Sequence, residues 1–154
     1  MQATHLKRFS SMSYSLLFIS AFLAATILPF YSEVVLFAMI RAGEPAGLLL
    51  LVASVGNTLG SVVNWYLGRY LLHFQHKKWF YFKPEQIEKM QAWFQKYGVW
   101  SLLLAWMPIG GDPLTLVAGI MRVNLWLFIL LVGIGKTLRY VAVIYFSEMS
   151  VAWF

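Results

Sequence analysis

The sequence predicts an all-α, polytopic membrane protein with two full transmembrane helices and two helical segments that are broken by proline. The chain has 154 residues, of which 60% are hydrophobic and 12% are charged, whereas a soluble domain has about 25% charged residues. Its length allows one integral membrane domain, residues 1–154, and it contains no cysteine. This composition excludes a soluble or disordered protein, a disulfide framework and a thiolate metal site.

Two apolar stretches are predicted to be ordinary transmembrane helices, residues 46–72 and residues 125–146. Each exceeds the roughly 20 residues that a helix needs to cross the hydrocarbon core of a bilayer. The first carries one charged residue, Arg69, close to its end, and the second carries Lys136 and Arg139 in its second half. Charges within such stretches need an explanation of their own.

Two further apolar stretches are interrupted. Residues 9–40 contain Pro29, with Glu33 after it, and the middle of residues 99–121 holds a denser break: Pro108, Gly110, Gly111, Asp112 and Pro113. Proline removes a backbone donor and clashes with the preceding turn, so a continuous helix is not expected in either stretch. Broken backbone at membrane depth survives where protein or trapped water satisfies it. Each stretch therefore either spans the membrane with a kink or, as we favour, folds back as a re-entrant hairpin.

The polar stretch between the second and third apolar stretches, residues 73–98, holds five lysines. Within it, residues 84–97 place apolar side chains at helical spacing opposite a Lys/Glu/Gln face, which predicts an amphipathic helix on the membrane surface. Whether the broken stretches span or re-enter, this side of the membrane carries more Lys and Arg, so the loop is predicted to be cytoplasmic. The net charge of +6 is then explained by membrane lipids as partners, and not by nucleic acid.

The two broken stretches share a short pattern that suggests a weak inverted repeat. In each, a proline is followed four residues later by an acid, Glu33 or Asp112, and then by a half-helix and a full apolar span. Paired discontinuous segments in corresponding positions are typical of a binding site near the midplane of a transporter. Coincidence explains so short a pattern equally well.

Glu33 and Asp112 are the first candidate substrate-binding or ion-binding residues. An acid at bilayer depth costs about 2.5–3.5 kcal/mol on insertion scales, and Ser or Asn would cap a helix without a charge. We therefore favour a functional role, in which either acid exchanges a proton because burial disfavours its charged form. The alternatives are a helix start, since Asp112 precedes Pro113, and a solvated position of Glu33 near the membrane interface.

Three basic residues are candidates for binding an anionic headgroup. Lys136 and Arg139 lie on one helix face with Tyr140, and Lys136 is far enough inside its span to need an acidic partner or a wet cavity. Arg69 ends its span, where snorkelling to the headgroups is the alternative. Three bases against two acids leave a net positive charge, which suits a phosphate group.

A stripe of small and polar residues at four-residue spacing predicts close helix packing: Gly56, Gly60, Asn64 and Gly68. Small residues allow two helix backbones to approach closely in a membrane. The same face is also suited to contact with a second copy of the chain, which would make the protein a homo-oligomer.

Several short motifs follow one another in a characteristic order: Leu28-Pro29 with Glu33, Gly56-Asn57 with Gly60, Gly68-Arg69, Trp106-Met107-Pro108 with Asp112, and Gly135-Lys136 with Arg139-Tyr140. Together they resemble the DedA superfamily, also called the VTT-domain or SNARE-associated Golgi protein family, and within it the short YqaA-like branch of bacterial inner-membrane proteins.

The resemblance implies two re-entrant hairpins that face each other, several membrane passes in the bacterial inner membrane, and a functional role for Glu33. It also implies movement of a polyprenyl phosphate or a phospholipid between leaflets, often linked to a proton gradient. Typical members carry arginines on both sides of the Pro-Gly turn in the second hairpin. This chain has Ala105 and Gly111 in those places, with Asp112 beside them.

Three functions are compatible with these residues. The first is a transporter of a lipid or lipid-linked phosphate, in which the two acids couple protons or hold a cation and the three bases attract the headgroup. The second is a proton-coupled exporter of a small ion, and the third is a non-transporting scaffold subunit that assembles through the glycine stripe. An enzyme is disfavoured because no catalytic or phosphate-binding motif is present, and no cofactor or metal is expected.

Overall fold

The computed structural model describes residues 2–25, 31–70, 83–107 and 111–152. Regular structure in these ranges is entirely helical, which confirms the predicted class. The helices are α1 (Gln2–Ala24), α2 (Tyr31–Arg41), α3 (Ala46–Arg69), α4 (Pro84–Tyr97), a 3-10 helix (Gly98–Trp106), α5 (Gly111–Ile120) and α6 (Leu125–Ala152). The predicted breaks at Pro29, Pro108 and Gly110 lie outside the described residues, as do residues 73–82 of the lysine-rich loop.

Helices α3 and α6 form the central pair of the fold and are the two long apolar helices that the sequence predicts. The apolar part of each is long enough to cross a membrane, with 24 residues in α3 and 23 in α6. They run antiparallel, because the rings of Trp65 and Phe128 lie 6.3 Å apart at one end, while Asn57 contacts Lys136 farther along both helices. Their outer faces expose apolar side chains such as Leu138, as suits contact with lipid.

The glycine stripe of α3 makes close contacts with two other helices of the same chain. A Cβ atom on Gly56 or Gly60 would lie 2.7 or 2.3 Å from a carbonyl oxygen of α1, and one on Gly68 would lie 2.0 Å from a carbonyl oxygen of α5. Asn64 donates a hydrogen bond of 2.8 Å to the carbonyl oxygen of Ala25. Because α1 and α5 cover the stripe, it does not offer a second copy of the chain the open face that the scaffold hypothesis requires.

The short helices α2 and α5 pack against opposite halves of α3. Helix α2 contributes Leu36 to a buried cluster with Leu49, near the start of α3, and α5 contributes Val117 to a cluster with Trp65, near its end. The first turns of α2 and α5 contact neighbouring residues of α6. The described ends of the two interrupted segments therefore contact the same part of α6, within one helical turn.

The segment before the second break is a 3-10 helix, although half-helices of about 12–14 Å are expected there if they are α-helical. Its nine residues reach about 18 Å at about 2.0 Å per residue. It lies directly against α6, where a Cβ atom on Gly135 would be 2.7 Å from the carbonyl oxygen of Leu103. The longer reach brings the carbonyl of Trp106 to Arg139. Apolar residues spaced by three or four are compatible with both helix types, so the sequence does not reveal this difference.

Helix α4 packs partly on the protein rather than only on the membrane surface. It begins with Pro84 and is followed by Gly98, whose φ is +63°, a conformation that glycine adopts readily. Phe94 is buried in a cluster with residues of the 3-10 helix and α5, while Trp93 and Tyr97 are exposed. Its apolar face is therefore partly covered by the protein, and the exposed aromatic side chains leave its predicted position at the membrane surface a prediction.

Candidate functional site

An ion pair between α6 and α2 holds the first interrupted segment against the central pair. Arg139 Nε donates to Glu33 Oε1 at 2.7 Å, and Arg139 Nη2 contacts the same oxygen. The third nitrogen, Nη1, donates to the carbonyl oxygen of Trp106 at 3.2 Å. One planar guanidinium group therefore joins α6, α2 and the end of the 3-10 helix.

A second ion pair joins α6 to α5. Lys136 Nζ lies 3.6 Å from Asp112 Oδ1, and it donates a shorter hydrogen bond, 2.5 Å, to Asn57 Oδ1 of α3. The Lys136 side chain is only 4% exposed. A buried ammonium group needs partners of this kind, because an uncompensated charge in a low-dielectric interior is strongly unfavourable.

Buried hydrogen bonds connect the two ion pairs. Asn57 accepts from Lys136 through its carbonyl oxygen and donates through its amide nitrogen to the Tyr140 hydroxyl, at 2.7 Å. The Tyr140 hydroxyl donates in turn to Ser32 Oγ, at 3.1 Å, and Ser32 precedes Glu33 in α2. All three connecting side chains are buried. A continuous polar chain therefore runs between the first turns of α5 and α2.

Glu33, Asp112, Lys136 and Arg139 together form what we call the charge quartet, which has two cations and two carboxylates. The acids are the more accessible members, with side chains 26% and 24% exposed, against 13% for Arg139 and 4% for Lys136. Both acids lie in the first turn of their helices, where the helix dipole favours a negative charge. The helix-start and ion-pair interpretations of these acids therefore hold together.

Arg69 is not part of this group. It is exposed at the end of α3, and its guanidinium lies 5.2 Å from the centroid of the Trp65 ring. The cluster is therefore neutral, without the net positive charge that three bases and two acids would give. The sequence shows only that Arg69 stands near the end of an apolar stretch, and the snorkelling alternative describes its position.

Three uncharged residues of the site are harder to recognise from the sequence than the four charged ones. Tyr140 is visible because it shares a helix face with Lys136, and Asn57 is visible as a polar residue inside an apolar span. Ser32 has no signal of its own, because a serine beside an acid is common at a helix start. Within the described ranges, no group of three or more His, Cys, Asp or Glu is suited to hold a metal ion.

A family model, described as the VTT domain, matches residues 9–149, which include the whole charge quartet. The chain belongs to the VTT-domain family. The resemblance to the DedA superfamily is thereby confirmed, and two apolar helices of spanning length agree with membrane insertion.

Bacterial relatives of this VTT-domain chain align with most or part of its length. The inner membrane protein YqaA of Escherichia coli (strain K12) is 42% identical over 138 residues, which cover 89% of this chain and 92% of that protein. A protein of Haemophilus influenzae is 36% identical over 143 residues, covering 88% and 87%. Undecaprenyl phosphate transporter A of Staphylococcus aureus is 28% identical over 98 residues, covering 58% and 48%. No solved structure is significantly similar to the chain.

The relatives and the helices together identify the compartment. The YqaA relative is an inner membrane protein and covers nearly the whole chain, and α3 and α6 have the length and composition of membrane spans. The protein is therefore an integral protein of the bacterial inner membrane, as its sequence predicts.

Proposed function

We propose that this protein is a transporter that moves a lipid-linked phosphate or a phospholipid between the two leaflets, coupled to protons. The charge quartet carries the proposal, because ionisable side chains inside a membrane cost about 2.5–3.5 kcal/mol each on insertion scales and mark transport pathways. The S. aureus relative is named as an undecaprenyl phosphate transporter, which supports a phosphate-bearing lipid as the substrate class.

In this proposal the two interrupted segments are re-entrant hairpins related by an inverted repeat. Contacts on both sides support that topology. Helix α1 ends beside Asn64 and α2 runs back to the start of α3. The 3-10 helix reaches Arg139, and α5 then returns to the end of α3, where a Cβ atom on Gly119 would lie 2.0 Å from the Trp65 carbonyl oxygen. The hairpins would enter from opposite sides, with residues 73–98 in the cytoplasm.

Exchange of partners within the quartet supplies the mechanism. An entering phosphate takes over the contacts of Arg139 and Lys136, since a guanidinium group binds phosphate bidentately and an ammonium group binds it as a point charge. In the proposal, the carboxylates of Glu33 and Asp112, once released by the two cations, are the groups that bind the coupled protons. The greater exposure of the two acids gives protons access to them. Movement of an anionic headgroup is thereby coupled to proton uptake.

Proteoliposomes that contain a labelled polyprenyl phosphate test this proposal. Wild-type protein is expected to accelerate headgroup movement above the rate in protein-free vesicles and to respond to an imposed pH gradient. Glu33→Gln and Asp112→Asn are each expected to slow movement by about tenfold, the equivalent of one lost charge-assisted contact, and to abolish the pH response. Glu88→Gln, which removes an exposed acid of α4, is the matched control and is expected to behave as wild type.

The outcomes separate the three functions. Wild-type rates and pH response in both quartet variants would reject the roles of the two acids. Transport of a soluble cation without lipid movement would select a proton-coupled small-ion exporter. A cellular function that survives loss of all four charges would select a non-transporting scaffold subunit, which would have to assemble through a surface other than the covered glycine stripe.

A further inference from the structure

We infer that Arg69 and Arg122 form a second anion site, separate from the charge quartet, that binds a phosphate group at one end of the molecule. Both arginines line one open pocket of about 500 Å³. The end of α3 forms one wall of the pocket, and the turn from α5 into α6, including Asn124, forms another. The site goes beyond the proposed function, because it concerns binding and requires no transport step.

The charges around this pocket are positive. No carboxylate is among the described residues that line it, and neither arginine has an ion-pair partner in the part of the chain that the structure describes. The start of α6 also borders the pocket, but its backbone N–H groups are already capped, because Asn124 Oδ1 accepts from Trp126 N–H at 2.9 Å and from Leu127 N–H at 3.4 Å. The positive charge of the pocket therefore comes from the two guanidinium groups, which favour a compact anion with several acceptor oxygens, and phosphate has that chemistry.

The backbone at Arg122 gives an independent reason to assign a role to its side chain. Its φ is +55°, the one positive φ of a non-glycine residue within the described ranges. The turn ends α5 through hydrogen bonds of 3.0 Å from the Arg122 N–H to the Gly119 carbonyl and from the Val123 N–H to the Ala118 carbonyl. Glycine usually occupies this left-handed position after a helix, and a larger residue there is strained. Strain that persists at one residue points to a functional need for its side chain.

The position of the pocket is fixed by a buried side chain. The Trp65 indole N–H donates to the Val123 carbonyl at 3.2 Å, which ties the α5–α6 turn to α3. The Arg69 guanidinium lies over the same Trp65 ring. Trp65 therefore positions both the Arg69 side chain and the backbone of the α5–α6 turn that carries Arg122, so the walls of the pocket are in place before an anion binds.

Arg41 is a basic residue at a helix end that, among the described residues, has no second arginine beside it and does not line the pocket. It ends α2 and lies 5.0 Å from the centroid of the Phe37 ring, much as Arg69 lies over Trp65. The helix dipole and the aromatic ring account for Arg41. They do not account for a second, strained arginine across the same pocket, so Arg41 is a matched control.

Phosphate binding to the full chain in phosphatidylcholine nanodiscs tests the inference. One arm titrates inorganic phosphate, and the other incorporates phosphatidic acid into the nanodiscs; phosphorus-31 line broadening reports binding in both. Arg69→Gln and Arg122→Gly are each expected to weaken binding by about tenfold, since each removes charge-assisted hydrogen bonds. Arg122→Gly is also expected to keep or raise the thermal unfolding midpoint, because glycine relieves the left-handed backbone. Arg41→Gln is expected to bind as wild type.

The inference is supported if the two site variants lose binding. Binding of both probes would then indicate a general phosphate site, and binding of phosphatidic acid alone would indicate a site for lipid headgroups. Binding of inorganic phosphate alone with the same losses supports a site for the free ion. No binding in wild type, unchanged binding in both site variants, or an equal loss in Arg41→Gln overturns it. Because no transport is measured, failure of this site and failure of the proposed transport function remain distinguishable.

Discussion

The two ion pairs of the charge quartet compensate their cations in different ways. Arg139 contacts Glu33 at 2.7 Å and also donates to a backbone carbonyl, and its side chain is 13% exposed. Lys136 is almost fully buried, lies 3.6 Å from Asp112 and makes its shortest contact with a neutral amide. The two acids are similarly exposed, but the arginine pair is tight and its cation is partly exposed, whereas the lysine pair is looser and its cation is almost fully buried. Lys136 therefore depends on Asp112 and one neutral amide inside a buried site, whereas Arg139 has a backbone carbonyl besides Glu33 and is itself more exposed.

The largest expected effect follows from removing the carboxylate beside the more buried cation. Asp112→Ala is expected to lower the free energy of unfolding in detergent micelles by about 3–5 kcal/mol, because it leaves an uncompensated buried ammonium group. Glu33→Ala is expected to cost less, about 1–3 kcal/mol, because Arg139 keeps a carbonyl acceptor and some hydration. Chemical denaturation of the two variants measures the difference. A loss in Glu33→Ala equal to or greater than that in Asp112→Ala would remove the distinction between the pairs.

A smaller effect is expected at the hydroxyl group that connects the pairs. Tyr140→Phe removes the hydrogen bonds to Asn57 and Ser32 while the ring remains, at a cost of about 1 kcal/mol. Tyr145→Phe, an exposed tyrosine on the same helix, is expected to change the unfolding free energy hardly at all. The same denaturation measurement compares the two variants. Equal effects would mean that the buried polar chain contributes no more than a surface hydroxyl group.

The chemistry of the site can be predicted from the sequence because it depends on local spacing. Lys136 and Arg139 are three residues apart and share a helix face, and each acid follows a proline by four residues. Which base pairs with which acid cannot be predicted in this way. Partner choice depends on how α2, α5 and the 3-10 helix pack on the central pair, and Gly135 determines part of that packing through a close backbone contact.

Other features depend on tertiary structure still more strongly. Arg69 is a basic residue within an apolar stretch, which suggests a buried residue that binds a headgroup. In the structure it lies at the end of α3 and is exposed beside the Trp65 ring. The left-handed conformation of Arg122 has no sequence signal, since glycine and not arginine is expected after a helix. The polar partner Ser32 becomes recognisable only when Tyr140 of a distant segment is placed beside it.

Charge reversal across the tighter pair tests the central claim most directly, namely that the interrupted segments bring their acids to the cations of α6. The measurement is the thermal unfolding midpoint and folded yield of Glu33→Arg, Arg139→Glu and the double variant. We predict that each single variant loses both, because it brings two like charges together, and that the double variant recovers a large part of them. A double variant no more stable than the weaker single variant would contradict the account.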